Sequence, residues 1–201
     1  DEMVDQVAIF FLAGHETSAS ALAWTLYLLA CDPKAQTRVA DEAATFLNAP
    51  DFATLSVLSF TRDVFREALR LYPPVPMMVR TASRRQMFRD RLVGPGAQIV
   101  LSPWHLHRHE RLWDNPDGFD PDRWATEAGR TCARTAYLPF SSGARVCPGA
   151  GFAMLEGPLI LAHLLGRFQV TTDPDAVPVP VAHLTVRSED GIYMRFAERH
   201  T

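Results

Sequence analysis

A loop, Phe140-Ser141-Ser142-Gly143-Ala144-Arg145-Val146-Cys147-Pro148-Gly149, opens onto a strongly apolar stretch, Ala150 to Leu165, which ends at Gly166. The stretch reads as a helix, and a glycine is a common stop for one. This junction constrains the chain because a helix start offers unpaired N–H groups and the positive end of the macrodipole, and the sequence sets a cysteine there. Both effects favour thiolate over thiol, and thiolate is the form that binds a soft metal centre. Gly143 and Gly149 allow tight bends that bring amides close to the sulfur. Arg145 adds a positive charge two residues ahead of Cys147. The loop suits a single anionic sulfur ligand.

A lone cysteine at a helix start is ordinarily a buried structural thiol. The spacing Phe-x-x-Gly-x-Arg-x-Cys-x-Gly weighs against that here, and zinc is disfavoured because no second Cys or His lies at ligand spacing. The pattern resembles the haem-binding signature of the cytochrome P450s, the haem-thiolate monooxygenases. That resemblance implies haem b with Cys147 as proximal iron ligand, Phe140 packed near the sulfur, Arg145 on a haem propionate, and Gly143 and Gly149 shaping the loop. Thiolate ligation favours cleavage of the bond in iron-bound dioxygen.

With 201 residues, 47% hydrophobic, the chain can bury a sizeable core. A net charge of −3 gives no basis for nonspecific nucleic-acid binding. Cys31, Cys132 and Cys147 are too few and too scattered for a disulfide framework, which points to a reducing compartment. No basic segment followed by a short apolar run opens the sequence. Asp1 is expected to lie within or just ahead of a helix.

Met3 to Ala30 reads as one long helix, with Val7–Ala13 and Ala19–Ala30 apolar almost all round, which predicts burial on every side. His15, Glu16 and Thr17 interrupt it near the middle, against a membrane span. In Ala13-Gly14-His15-Glu16-Thr17-Ser18, Gly14 costs about 1 kcal/mol of helix propensity relative to Ala. Thr17 is placed to bond a carbonyl one turn back, and Glu16 needs a partner or a function. A helix with a satisfied polar patch is the bland reading. Beside the cysteine loop, the segment resembles the oxygen-activation stretch of the family's central helix. The resemblance implies that Ala13 and Gly14 line the distal haem face and that Glu16 and Thr17 organise proton delivery. His15 is not expected to bind iron.

Asp32-Pro33 starts a second, amphipathic helix running to Asn48, and Asp51 to Ser59 reads as a loop. A third helix covers Ser59 to Leu71 and stops before Pro73-Pro74. It carries Glu67 and Arg70 on one face, usually a weak surface pair. The apolar residues around them predict partial burial, and the motif resembles the family's structural Glu-x-x-Arg. The third member implied is Arg123, in Phe119-Asp120-Pro121-Asp122-Arg123-Trp124. Pro73 to Ala82 is extended and makes a plain edge strand. By resemblance, Val75, Met77 and Met78 touch substrate, and Arg80 reaches a propionate.

Ser83 to Arg91 reads as a solvated hairpin, Gly94-Pro95-Gly96 as a turn and Gln98 to Leu101 as a strand. Pro103 opens a short helical piece expected to contain His105, His107 and His109. Their alternation does not gather them on one helix face, so metal binding is disfavoured. Ala125 to Pro139 reads as a loop without periodicity. In the last helix, Gly157-Pro158 predicts a kink around Ala153 to Glu156. Phe168 to Thr172 and Leu184 to Phe196 alternate like antiparallel strands, with Glu189-Asp190-Gly191 as their turn. By resemblance, His183 and Leu184 sit at a hairpin tip in the substrate pocket.

The expected fold is mainly α with small β-sheets, a single partial domain over 1–201 corresponding to the family's C-terminal half, from the oxygen-activation helix to the C-terminal hairpin. The resemblance implies a monooxygenase acting on a lipophilic small molecule, with NAD(P)H-derived electrons arriving through a ferredoxin or a flavoprotein reductase. It also implies a cytoplasmic setting, with a membrane anchor upstream left open. A haem-thiolate peroxygenase or isomerase and a non-catalytic truncated remnant stay open as alternatives. As a fragment, the chain is expected to expose hydrophobic faces.

Overall fold

The computed structural model describes residues 2–199, so the expectation for Asp1 lies outside them. Six α-helices carry the architecture: α1 (Glu2–Cys31), α2 (Pro33–Asn48), α3 (Ser59–Leu71), α4 (Pro103–Leu106), α5 (Glu127–Ala136) and α6 (Ala150–Leu165). Eight short strands form four separate antiparallel ribbons. β1 (Met78–Thr81) pairs with β4 (Gln98–Leu101), and β2 (Gln86–Phe88) with β3 (Arg91–Val93). β5 (Phe168–Thr172) pairs with β8 (Met194–Glu198), and β6 (Pro180–Ala182) with β7 (Val186–Ser188). The expected mix of helices with small sheets is what folds.

The main core lies where α1, α2, α3, α6 and β5 meet, built on Leu29, Val39, Val64, Phe65, Leu161, Leu165 and Val170. Asp32 caps α2 by accepting the N–H groups of Lys34 and Ala35, with Pro33 at the first helical position. At the other end of the same core, Gln36 accepts the Val170 N–H at 2.9 Å and donates to the carbonyls of Leu29 and Val170. One amide therefore fastens α1 and β5 to α2. Gly157 explains itself by packing: a Cβ there would lie 2.6 Å from the Phe65 ring. α6 runs unbroken through Pro158 from Ala150 to Leu165.

Three expectations are corrected. Burial of α1 on every side fails for its first half, where Val7, Ile9, Phe10, Phe11 and Leu12 are all more than half exposed. The core packs against the second half, where the buried residues of the helix run from Ser20 to Leu29. Next, most of the expected loop between Ala125 and Pro139 is helix α5. The Thr126 hydroxyl caps it by accepting the Gly129 N–H at 2.9 Å, and Cys132, Ala133 and Ala136 pack on Trp113 and Trp124. Such small residues give little hydropathy contrast, so the period is faint in the sequence. Third, Glu189-Asp190-Gly191 does not close a hairpin. The strands on either side of it belong to different ribbons, β7 to the β6 ribbon and β8 to the β5 ribbon. Among the histidines, only His105 falls within α4; His107 and His109 follow it in turns.

Candidate haem-binding site

The cysteine loop is held from both ends. The Phe140 ring packs against the main core, and the Cys147 N–H donates to the Phe140 carbonyl at 2.8 Å. Between them the chain turns tightly: Ser141 and Gly143 take positive φ of 62° and 68°, and Gly143–Arg145 form a 3-10 turn. Gly149 is the N-cap of α6 with φ −87°, so no left-handed backbone calls for glycine there. A Cβ there would stand 3.8 Å from the Cys147 sulfur. Cys147 is an exposed free thiol just ahead of the helix start.

Two arginines are tied to this loop. Arg80, on β1, donates to the Ser141 hydroxyl at 3.1 Å and so ties the Pro-rich wall to the loop. Arg145 lies within the loop itself. Among the described residues neither pairs with a carboxylate. Two cations without acid partners, tied to a loop that carries a free thiol, suit a dianionic, sulfur-ligated group such as haem with its two propionates.

Behind the loop lies a buried ionic core. Glu67 and Arg70 are fully buried, and the Arg123 side chain is 7% exposed. Glu67 Oε1 accepts from Arg70 Nη2 at 2.8 Å, Arg123 Nε at 2.9 Å and the Asp120 N–H at 3.1 Å. Arg70 also donates to the carbonyls of His107, Pro116 and Gly118. Each N–H of Arg70 therefore meets an oxygen, the condition under which a buried ion pair holds. His107, fully buried, closes the circuit. Its Nδ1 lies 3.2 Å from the Arg70 carbonyl, and its Nε2 accepts the Leu138 N–H at 2.8 Å. Burial pushes the imidazole down to about 4, so it is neutral near pH 7. Sequence reasoning set His107 aside with its neighbours; the faint signal was its place after the Pro103 helix start.

On α1 the Thr17 hydroxyl bonds back to the Ala13 carbonyl at 2.6 Å, and Gly14 faces open space. Glu16 is engaged by the β6–β7 hairpin. Its Oε1 accepts from the Thr185 hydroxyl at 2.9 Å and from Arg187 Nε at 2.7 Å, with Arg187 Nη2 on the same oxygen. The Arg187 hydrogen bond, followed by that of Thr185, holds the Glu16 carboxyl below the usual carboxylate range. The predicted tip residues His183 and Leu184 do lie at the turn of this hairpin, both exposed, Leu184 at 82%. Val75 and Met77 are exposed on the wall, and Met78 is half-buried. A cavity of about 270 Å³, lined by Pro76, Met77, Trp104, Val181 and Val186, separates wall from hairpin. The structure thus joins Glu16 to the hairpin and Arg80 to the cysteine loop. The loop and Thr17 have no direct hydrogen bond; Ser18, donating to Glu156 at 3.3 Å, links α1 to the helix that follows the loop.

Cys147 is a lone candidate ligand: among the described residues no group of three or more His, Cys, Asp or Glu could hold a metal ion. The cytochrome P450 family model matches residues 1–196, and the chain belongs to that family. It is 40% identical over 199 residues to mouse (Mus musculus) cytochrome P450 4A10, covering 97% of this chain and 39% of that protein. It is 41% identical over 175 residues to cyclooctatin synthase of Streptomyces melanosporofaciens, covering 86% of this chain and 38% of that one. A crystal structure of a mutant cytochrome P450DA heme domain superposes with a TM-score of 0.87 at 35% identity, covering 97% of this chain and 44% of that one. The chain therefore spans less than half the length of these relatives.

Proposed function

We propose that this chain forms the haem-thiolate portion of a monooxygenase that inserts one atom of dioxygen into a lipophilic small molecule. The observation that carries the reading is the free thiol at the start of α6, on a loop pinned at Phe140 and tied to acid-free Arg80 and Arg145, in a chain of the cytochrome P450 family. A pig (Sus scrofa) relative, 38% identical over 193 residues, is a taurochenodeoxycholic 6 alpha-hydroxylase, which supports hydroxylation as the reaction.

In this reading Cys147 is the iron ligand, and the Phe140 carbonyl keeps the backbone of the loop in register behind it. Arg80 and Arg145 hold the propionates by charge-assisted hydrogen bonds. Haem, when bound, supplies an iron centre whose thiolate ligation favours cleavage of the dioxygen bond. Ala13 and Gly14, small residues with open space at Gly14, would leave room on the α1 side for the group and its substrate. Thr17 and Glu16 hold and pass protons, Thr17 through a hydroxyl already oriented by its bond to Ala13. Val75, Met77, Met78, His183 and Leu184 bind the substrate; Met adapts readily to irregular apolar ligands. Electrons derive from NAD(P)H through a ferredoxin or a flavoprotein reductase.

The test is reconstitution with haem followed by reduction under carbon monoxide. The red-shifted Soret band of thiolate ligation is expected for the native sequence and is lost in Cys147→Ala. Retention of that band in Cys147→Ala, or failure of the native protein to take up stoichiometric haem, overturns the reading.

A further inference from the structure

Three polar side chains on one face of α1, each one helical turn from the next, grip the β6–β7 hairpin. Glu16 accepts from Thr185 and Arg187, the Ser20 hydroxyl donates to the Val186 carbonyl at 2.6 Å, and Trp24 Nε1 donates to the same carbonyl at 3.0 Å. On its other side the Val186 N–H donates to the Pro74 carbonyl at 3.0 Å, at the head of the apolar wall. Thr185, Val186 and Arg187 are thus a knot joining α1, the wall and the hairpin tip. Within that knot Glu16 differs from Ser20 and Trp24. Ser20 and Trp24 are buried and bond backbone, whereas the Glu16 side chain remains 20% exposed and bonds only side chains of the hairpin.

We propose that Arg187 is a positioning residue for Glu16: with Thr185 it holds one carboxylate oxygen against the hairpin and leaves the other free, so that hairpin position sets where this acid points. The inference rests on Glu16 acting in proton delivery. An acid held at one oxygen keeps a fixed orientation while its second oxygen can exchange a proton with water. Because the anchoring groups come from the hairpin that also carries His183 and Leu184, any shift of that hairpin is transmitted to Glu16. The titratable and charged groups around it are Arg187 on β7 and His15 on α1, with Glu156 of α6 reached through Ser18.

The experiment follows the Glu16 carboxyl carbon by NMR during a pH titration, alongside amide exchange at Val186. Arg187→Met is expected to move the Glu16 titration upward and to speed Val186 exchange about two- to fivefold, the scale of a partly exposed ion pair. Arg187→Lys, which keeps the charge, recovers most of the shift. Ser20→Ala touches neither Glu16 nor Arg187, yet it frees one of the two donors on Val186 and is expected to move the Glu16 titration in the same direction. An unchanged titration in Arg187→Met, or in Ser20→Ala, overturns the proposal. Neither readout needs haem, so a failure of haem uptake strikes the function reading alone.

Discussion

His107 Nε2 accepts the backbone N–H of Leu138 at 2.8 Å, which couples the buried Glu67–Arg70 pair to the segment that leads into the cysteine loop. Leu138 stands two residues before Phe140, whose carbonyl receives the Cys147 N–H. The imidazole is a rivet between the ionic core and the ligand loop, and it works only when neutral, because a protonated Nε2 cannot accept.

That yields a pH dependence. Burial holds His107 at about 4, while an unfolded histidine titrates near 6.5. Between those values the unfolded chain binds more protons than the folded one. Stability is therefore full above about pH 6.5, falls as pH drops towards about 4, and levels off below. The loss is on the order of 3 kcal/mol. Urea unfolding at a series of pH values measures it, and His107→Gln is expected to remove this part of the slope.

Arg70→Lys is expected to destabilise nearly as much as Arg70→Ala, about 3–5 kcal/mol. A lysine retains the charge but offers three donors where Arg70 makes five contacts, two to Glu67 and three to carbonyls. Thermal unfolding of both variants decides it; a Lys variant close to the parent would contradict the assignment.

Gly157→Ala drives a methyl into the Phe65 ring and is expected to cost about 1–3 kcal/mol. Phe65→Leu removes the clashing ring atoms. The pair of substitutions together should cost less than the sum of the two alone, as a double-mutant cycle of unfolding free energies will show.

The exposed first half of α1 carries Phe10 and Phe11 at 60% and 69% exposure. Contiguous apolar surface of this kind favours association. Phe10→Glu with Phe11→Glu is expected to lower concentration-dependent light scattering while leaving the unfolding midpoint of the core nearly unchanged.

Much of this was legible because residue types and structure agree locally. Pro33, the Pro73-Pro74 pair and Gly166 punctuate the helices, so α2, α3 and α6 fall where their boundaries predict. Glu67 hydrogen-bonds both Arg70 and Arg123, the set that the resemblance named. What was hidden depends on partners far apart in the chain. Apolar residues at Val7 to Leu12 look the same whether or not another element covers them. Helix α5 hides behind alanines and a cysteine. Arg187 reads as an ordinary strand charge until folding sets it beside Glu16, and His107 looks like one of three alternating histidines until Arg70 surrounds it.

The division of the strands into four two-membered ribbons has a further consequence. Each of the eight strands has one side hydrogen-bonded and the other without a ladder partner among the described residues. On β5 and β7 that second side is already in use, by the Gln36 amide at Val170 and by Pro74, Ser20 and Trp24 at Val186. A newcomer segment there would displace bonds in place, whereas the exposed β2–β3 ribbon is the freer template. With only three to five residues per strand, each such addition is short and weakly held on its own. Growth by strand addition would have to draw most of its strength from side chains packed above and below the ribbon.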